Sequence, residues 1–241
     1  LSLLAFCVSL YSLSYMKHGA GQTKAGIFNF LYATFILSMM LVFTSRNLVF
    51  FLIAWEAMSI LSYFLVVHES DHEENLRAGN VYLIMTTIGT AFLLTAVLLL
   101  RSCTGSFSLD AAPSAIPAAT RNVLFVLFLI GFGIKAGVVP LHIWLPAAHP
   151  AAPSNVSALM SGVMIKTAVY GLLRFVLGIL GAGDTWWGVT LILLGAVSVL
   201  GGAAFALADD NLKRLLAYSS IENIGVILIG LGTGFLALSG G

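Results

Sequence analysis

The sequence predicts an all-α integral membrane protein, a polytopic bundle of helices, and three observations predict it. Hydrophobic residues make up 59% of the 241 residues and charged residues only 9%, with a mean hydropathy of +1.02, well outside the range of a water-soluble domain. Apolar stretches of the length a bilayer demands, about 20 residues, recur along the chain with polar breaks between them. Four ionisable residues, Glu56, Lys135, Lys166 and Glu222, fall inside those stretches rather than between them.

Eight stretches predict about eight transmembrane segments in one membrane domain spanning residues 1–241. The first, Leu1 to Met16, opens without a Met, a basic leader or a small-residue cleavage site. It therefore reads as a truncated helix rather than a signal peptide, and the chain as a fragment. Ile27 to Phe43 follows, then Leu48 to Val67, whose ninth residue is Glu56. The charged segment His68 to Arg77, with Glu69, Asp71, Glu73 and Glu74, reads as a solvated turn without chemistry. Ala78 to Leu100 is the fourth stretch, and Thr104 to Thr120, holding Gly105, Asp110, Pro113 and Pro117, the longest loop. The fifth, Asn122 to Leu145, carries Lys135 near its middle and Pro140 near its end. Ser154 to Leu177 places Lys166 about 18 Å along its axis, at the depth of the bilayer centre. Trp187 to Ala208 and Leu215 to Leu236 complete the series, their glycines, including Gly195, Gly201, Gly202, Gly225 and Gly230, predicting close helix packing.

Several functions are excluded. A net charge of +1 supplies no basic stripe for nucleic acid. Cys7 and Cys103 form no paired motif, so neither zinc nor an iron–sulfur cluster is built from them. Redox chemistry, if any, lies in another polypeptide.

The buried charges carry the functional reading. A charged side chain at mid-bilayer costs about 2.5–3.5 kcal/mol on insertion scales, so each must face a partner or water. A Glu56 to Lys135 ion pair that merely pins two helices is one reading, but it leaves Lys166 unpaired. The other is transport. Removal from water weakens a lysine's hold on its proton and a nearby carboxylate strengthens it. Glu56 would then switch Lys135 between holding and releasing a proton, which passes to Lys166. Pro140, Pro146, Pro150 and Pro153 surround His142 and His149, so the helix carrying Lys135 should break between Pro140 and Pro146. Breaks of this kind recur at ion sites in transporters. His142, seven residues from Lys135, would share its helix face and act as a relay; haem ligation by the histidines lacks an evident partner imidazole. Glu222, flanked by Tyr218, Ser219, Ser220 and Asn223, reads equally as part of a proton path or as polar packing between helices.

The runs AWEAMSILSYFLV (Ala54 to Val66), GFGIKAGVVPLHIWLPAAHPAAPSNVSALMSGVMIKTAVYGLLRF (Gly131 to Phe175) and DDNLKRLLAYSSIENIG (Asp209 to Gly225) resemble the antiporter-like subunits of respiratory complex I and its relatives. Within that superfamily, Pro146 to Ser154 and Ile221 to Gly225 look most like hydrogenase-4 and formate hydrogenlyase type subunits, with complex I and multisubunit sodium/proton antiporters close behind. The resemblance implies inverted five-helix repeats, the first over 27–178 and the second beginning in 187–241, each with a discontinuous helix. By position it implies that Glu56 is the ion-pair glutamate, Lys135 the lysine before the break and Lys166 the central connecting lysine. Many relatives have a histidine near Ser219 to Asn223, where this chain has Ser219, Ser220 and Glu222, which departs from the usual exit residue. Glu222 would stand in the second repeat near the place of Glu56 in the first. The resemblance further implies a multi-pass subunit in a bacterial or archaeal plasma membrane. It would have no cofactor of its own, with nickel–iron and iron–sulfur centres in a peripheral redox module and protons, or sodium, as cargo.

Overall fold

Apolar runs long enough to cross a bilayer have no water to satisfy their backbone, so they fold as helices that bond within themselves. The computed structural model describes residues 1–15, 22–68, 73–109, 116–181 and 183–239. In chain order the helices are α1 (Ser2–Tyr15), α2 (Gln22–Thr44), α3 (Leu48–Val66), α4 (Glu73–Thr104), α5 (Ala118–Ala136), the short α6 (Leu145–Ala151), α7 (Ser154–Leu180), α8 (Thr185–Ala208) and α9 (Leu212–Ser239). Among the described residues seven of these are long and apolar enough to cross a membrane, while α1, at 14 residues, is shorter. The eight predicted stretches thus become seven spans and one short apolar helix.

Local chemistry sets the boundaries. The Asn47 side chain accepts the Val49 and Phe50 amides at 2.9 and 3.2 Å and starts α3. Glu73 and Glu74, which their charge alone assigns to a solvated turn, instead occupy the first turn of α4, where carboxylates favour the exposed amide end of the helix dipole. Residues 69–72 of that segment, with Glu69 and Asp71, lie outside the described residues, as do 110–115 of the Thr104 to Thr120 loop, with Asp110 and Pro113. The described part of the loop is stapled to the α2–α3 turn by backbone bonds from Leu48 to Phe107 and from Leu109 to Arg46, both 2.8 Å.

The aromatic and aliphatic core gathers α3, α4, α5 and α7, with Phe51, Trp55, Phe128, Phe132 and Phe175 packed ring to ring. Outward faces carry exposed Phe30, Ile53, Leu98, Leu200 and Leu207, a surface suited to lipid and costly in water. Helices α8 and α9 form a hairpin along a glycine seam of seven-residue spacing. A Cβ on Gly195 would lie 2.7 Å from the Gly225 carbonyl oxygen, one on Gly225 2.6 Å from that of Gly195, and one on Gly188 2.8 Å from that of Gly232. Close backbone approach explains Gly195, Gly202 and Gly225, as the sequence predicts. It does not explain Gly230, which meets nothing within 4 Å, or Gly201, whose nearest neighbour would be Val139 at 4.0 Å.

Gly195→Val should therefore destabilise the solubilised protein by about 1–3 kcal/mol through overpacking. Gly230→Ala, which adds a carbon to open space in mid-helix, should not lower the unfolding temperature and should raise it slightly, and a scan of both variants in one detergent checks the difference.

Candidate functional site

The helix break that organises the site arises one turn before the predicted place. Gly137 adopts φ +75°, and its amide with that of Val138 closes α5 on the carbonyls of Gly133 and Ile134. A Cβ there would sit 2.7 Å from Leu145 and in a strained conformation. The helix thus stops at Ala136, before Pro140, because a left-handed glycine ends it; Pro140 and Pro146 shape the segment that links α5 to α6. The Val139–Pro140 bond is cis, and Pro146 lies in the first turn of α6, where a missing amide costs nothing. Lys135 accordingly sits at the end of a helix and not near its middle.

Unwound backbone inside a membrane must be satisfied by protein, and neighbours do so here. The Val139 amide donates to Ser198 Oγ on α8 at 3.1 Å, and Trp144 Nε1 donates to the Ile134 carbonyl at 2.7 Å. From α9, Lys213 Nζ donates to the Ala152 and Pro150 carbonyls at 2.9 and 3.3 Å, placing a cation at the carbonyl end of α6.

Lys135 is 1% exposed. Its ammonium donates to Ser59 Oγ of α3 at 2.7 Å and to the Tyr82 hydroxyl of α4 at 2.9 Å, and lies 5.1 Å from the centre of the Tyr82 ring. Tyr82 is itself buried, hydrogen-bonded to Ser62 at 2.6 Å and packed against the Trp144 ring. Glu56, half-buried on α3, accepts the Thr90 hydroxyl at 2.6 Å. The ion pairs within 4.0 Å among the described residues are Arg121–Asp184 and Arg214–Asp209, so Glu56 and Lys135 occupy one site without touching. Met164 Sδ lies 3.5 Å from the Tyr82 hydroxyl, two residues before Lys166.

Lys166 is half-buried in α7, just after a π-helical stretch at Met160–Met164, and its ammonium folds back to the Ser161 carbonyl. Such π turns cluster at functional sites. Ser161 Oγ meets Ser220 Oγ of α9 at 2.8 Å, and Ser220 donates onward to the Leu216 carbonyl. The Lys166 ammonium meets the Ser161 carbonyl and not its hydroxyl, so the Ser161–Ser220 hydroxyl pair joins α7 to α9 beside the lysine.

The remaining predicted residues are placed differently. His142 lies in the turn between α5 and α6, half-buried with Nδ1 unpartnered. Because the helix has already ended, a seven-residue separation does not put it on the Lys135 face. His149 is buried, bonded to Ser157 through Nδ1 at 2.7 Å, with Nε2 unpartnered. Glu222 is half-buried on α9, its backbone against Gly202, and joins none of the hydrogen bonds around Glu56, Lys135 or Lys166. Sequence reasoning missed Ser59, Tyr82, Thr90 and Ser198. The signal was present for three of them: Ser59 follows Glu56 by one helical turn, and Tyr82, Thr86 and Thr90 form a polar stripe at four-residue spacing in an apolar helix.

Residues 45–240 match the family model described as NADH:quinone oxidoreductase/Mrp antiporter, transmembrane. The chain is 39% identical to hydrogenase-4 component B of Escherichia coli over 99% of its length and 36% of that protein. It is 32% identical to formate hydrogenlyase subunit 3 of the same organism, over 99% of its length and 38% of that protein. The chain thus spans little more than a third of these relatives. Among solved structures, a chain of respiratory complex I from Thermus thermophilus superposes with a TM-score of 0.77 at 32% identity, covering 96% of this chain and 50% of that one. A chain of the Mrp complex from a Dietzia species gives 0.84 at 30% identity, covering 96% and 25%.

Ser198→Ala should leave the Val139 amide buried without an acceptor, at a cost of about 1–3 kcal/mol. Amide hydrogen exchange at Val139 should accelerate relative to the α3 core, which mass spectrometry of overlapping peptides measures.

Proposed function

We infer the function from one premise: the chain belongs to the NADH:quinone oxidoreductase/Mrp antiporter transmembrane family. It is a multi-span membrane protein. Our reading is a proton-translocating subunit of a redox-driven complex of the hydrogenase-4 or formate hydrogenlyase kind. Nickel–iron and iron–sulfur centres would be housed in a peripheral module of partner subunits. The observation that carries it is a lysine ammonium, 1% exposed, beside a helix break and next to a half-buried glutamate it does not touch. A group so placed can exchange a proton when a neighbouring carboxylate approaches or withdraws. Glu56 sets the charge environment of Lys135, and the proton passes to Lys166. Atoms balance when Lys166 has first released its own proton: one N–H bond breaks at the Lys135 ammonium and one forms at the Lys166 amine, with water carrying the proton between them.

We place the first inverted repeat at 27–178 and the start of the second at 187–241, with Glu222 near the place of Glu56. Both helices begin on an asparagine whose side chain accepts the second and third amides beyond it, Asn47 for α3 and Asn211 for α9. Glu56 is the ninth residue of α3 and Glu222 the eleventh of α9, which supports a common depth. Glu222→Gln with unchanged transport would remove that carboxylate from the path.

A second reading, a cation/proton antiporter subunit without a redox partner, is favoured by the likeness to the Mrp complex chain. Metal analysis of the purified complex separates the two, since nickel and iron in stoichiometric amounts support the first. For the transport reading itself, Lys135→Met and Glu56→Gln should lower proton uptake by reconstituted complex about a hundredfold while leaving its assembly intact. Retained uptake in both overturns it.

A further inference from the structure

The separation of Glu56 from Lys135 has an identifiable cause. Both partners are held by hydroxyls of one helix, α4: Thr90 takes the carboxylate at 2.6 Å and Tyr82 the ammonium at 2.9 Å. Ser59 of α3 supplies a second acceptor to the ammonium at 2.7 Å. We propose that α4 is a two-point spacer, with Thr90 and Tyr82 as positioning residues that hold the transport pair open. This deepens the transport reading and rests on it.

Hydrogen-bond accounting supports a switchable hold. Thr90 has one hydroxyl proton and two acceptors in reach, Glu56 Oε2 at 2.6 Å and the Thr86 carbonyl one turn back at 3.1 Å. When Glu56 leaves, the hydroxyl turns to its own helix and nothing is orphaned. On the lysine side, the Ser59 hydroxyl donates to the Trp55 carbonyl at 3.1 Å and that of Ser62 to the Met58 carbonyl at 2.7 Å, so the Tyr82 hydroxyl is free to donate to Ser62 while accepting from Lys135. Two of the three ammonium protons are thereby engaged by neutral oxygens, and the third remains for Glu56. Glu56 and Ser59 lie three residues apart on the face of α3 that meets α4. A carboxylate that gives up its Thr90 bond is thereby one helical turn from the serine that already holds the ammonium. Because Thr90 and Tyr82 share α4, a shift of that helix would act on both charges together.

The test uses the assembled complex. Thr90→Val keeps side-chain shape and removes the hold on Glu56; Thr90→Ser restores it. The Thr90→Val map should bring Glu56 within 4 Å of Lys135, and proton uptake should fall at least about tenfold, the population change expected on losing one charge-assisted hydrogen bond. Thr90→Ser should keep the pair apart and transport as the parent does. Tyr82→Phe, which loosens the ammonium instead, should also close the pair, giving a second route should the valine variant assemble poorly. An open pair in both Thr90→Val and Tyr82→Phe overturns the spacer. Normal uptake in Glu56→Gln and Lys135→Met overturns the transport reading instead, and the distances in the maps still decide what α4 does.

Discussion

A lysine ammonium at membrane depth must be solvated by the protein that carries it, and the helices around Lys135 are arranged to meet that need. Three kinds of group do so: the Ser59 hydroxyl from α3, the Tyr82 hydroxyl from α4, and the aromatic faces of Tyr82 and, at 6.0 Å, Trp55. All but Lys135 itself are neutral. A neutral cage holds the ammonium without fixing its charge permanently, whereas a closed ion pair with Glu56 would lock both groups in their charged forms. If α4 spaces the pair as we propose, the distance between the two charges is the quantity this fold controls.

Control of that distance depends on the helix break. By ending α5 at Ala136, Gly137 leaves Lys135 at a helix terminus, where its side chain reaches between α3 and α4. The break and the end of α6 leave an amide at Val139 and carbonyls at Pro150 and Ala152 for other helices to meet. Ser198 of α8 and Lys213 of α9 supply the missing partners, so the α8–α9 hairpin is tied to the break as well as to α7 through Ser161 and Ser220. A displacement of that hairpin would be felt on both sides of the lysine pair. Its glycine seam makes it act as one body, since the two backbones are in contact along their length.

Lys166 occupies a different environment from Lys135. It is half-buried and held by a carbonyl of its own π-helical turn, not by a ring of hydroxyls from other helices. The two lysines thus have distinct solvation, and the contacts that lead from Lys135 to the helix of Lys166 pass through Tyr82 and the Met164 thioether. Sulfur is a weak acceptor. Transfer between the lysines under our reading therefore requires water, and so does passage onward from Lys166, whose ammonium meets a carbonyl and not the Ser161 hydroxyl.

Fold class and the identity of the buried charges were legible in the chain alone, because hydropathy over a bilayer's thickness is additive along sequence and a charge within such a run is conspicuous. The existence of a break after Lys135 was legible too, though its position was not: prolines announce that a helix cannot continue, whereas the left-handed turn at Gly137 is a matter of backbone geometry that composition does not encode. The outward placement of Glu73 and Glu74 as a helix start was likewise hidden by their charge. What only the tertiary structure decided is which neutral groups meet the charges. Ser59, Tyr82, Thr90 and Ser198 are common residues in membrane helices, and each becomes part of the site only through a neighbour on another element or one turn away. Charge announces itself in a sequence because burying it is costly anywhere in the membrane; a hydroxyl's role depends on a partner within roughly 3 Å, and that is fixed by packing alone.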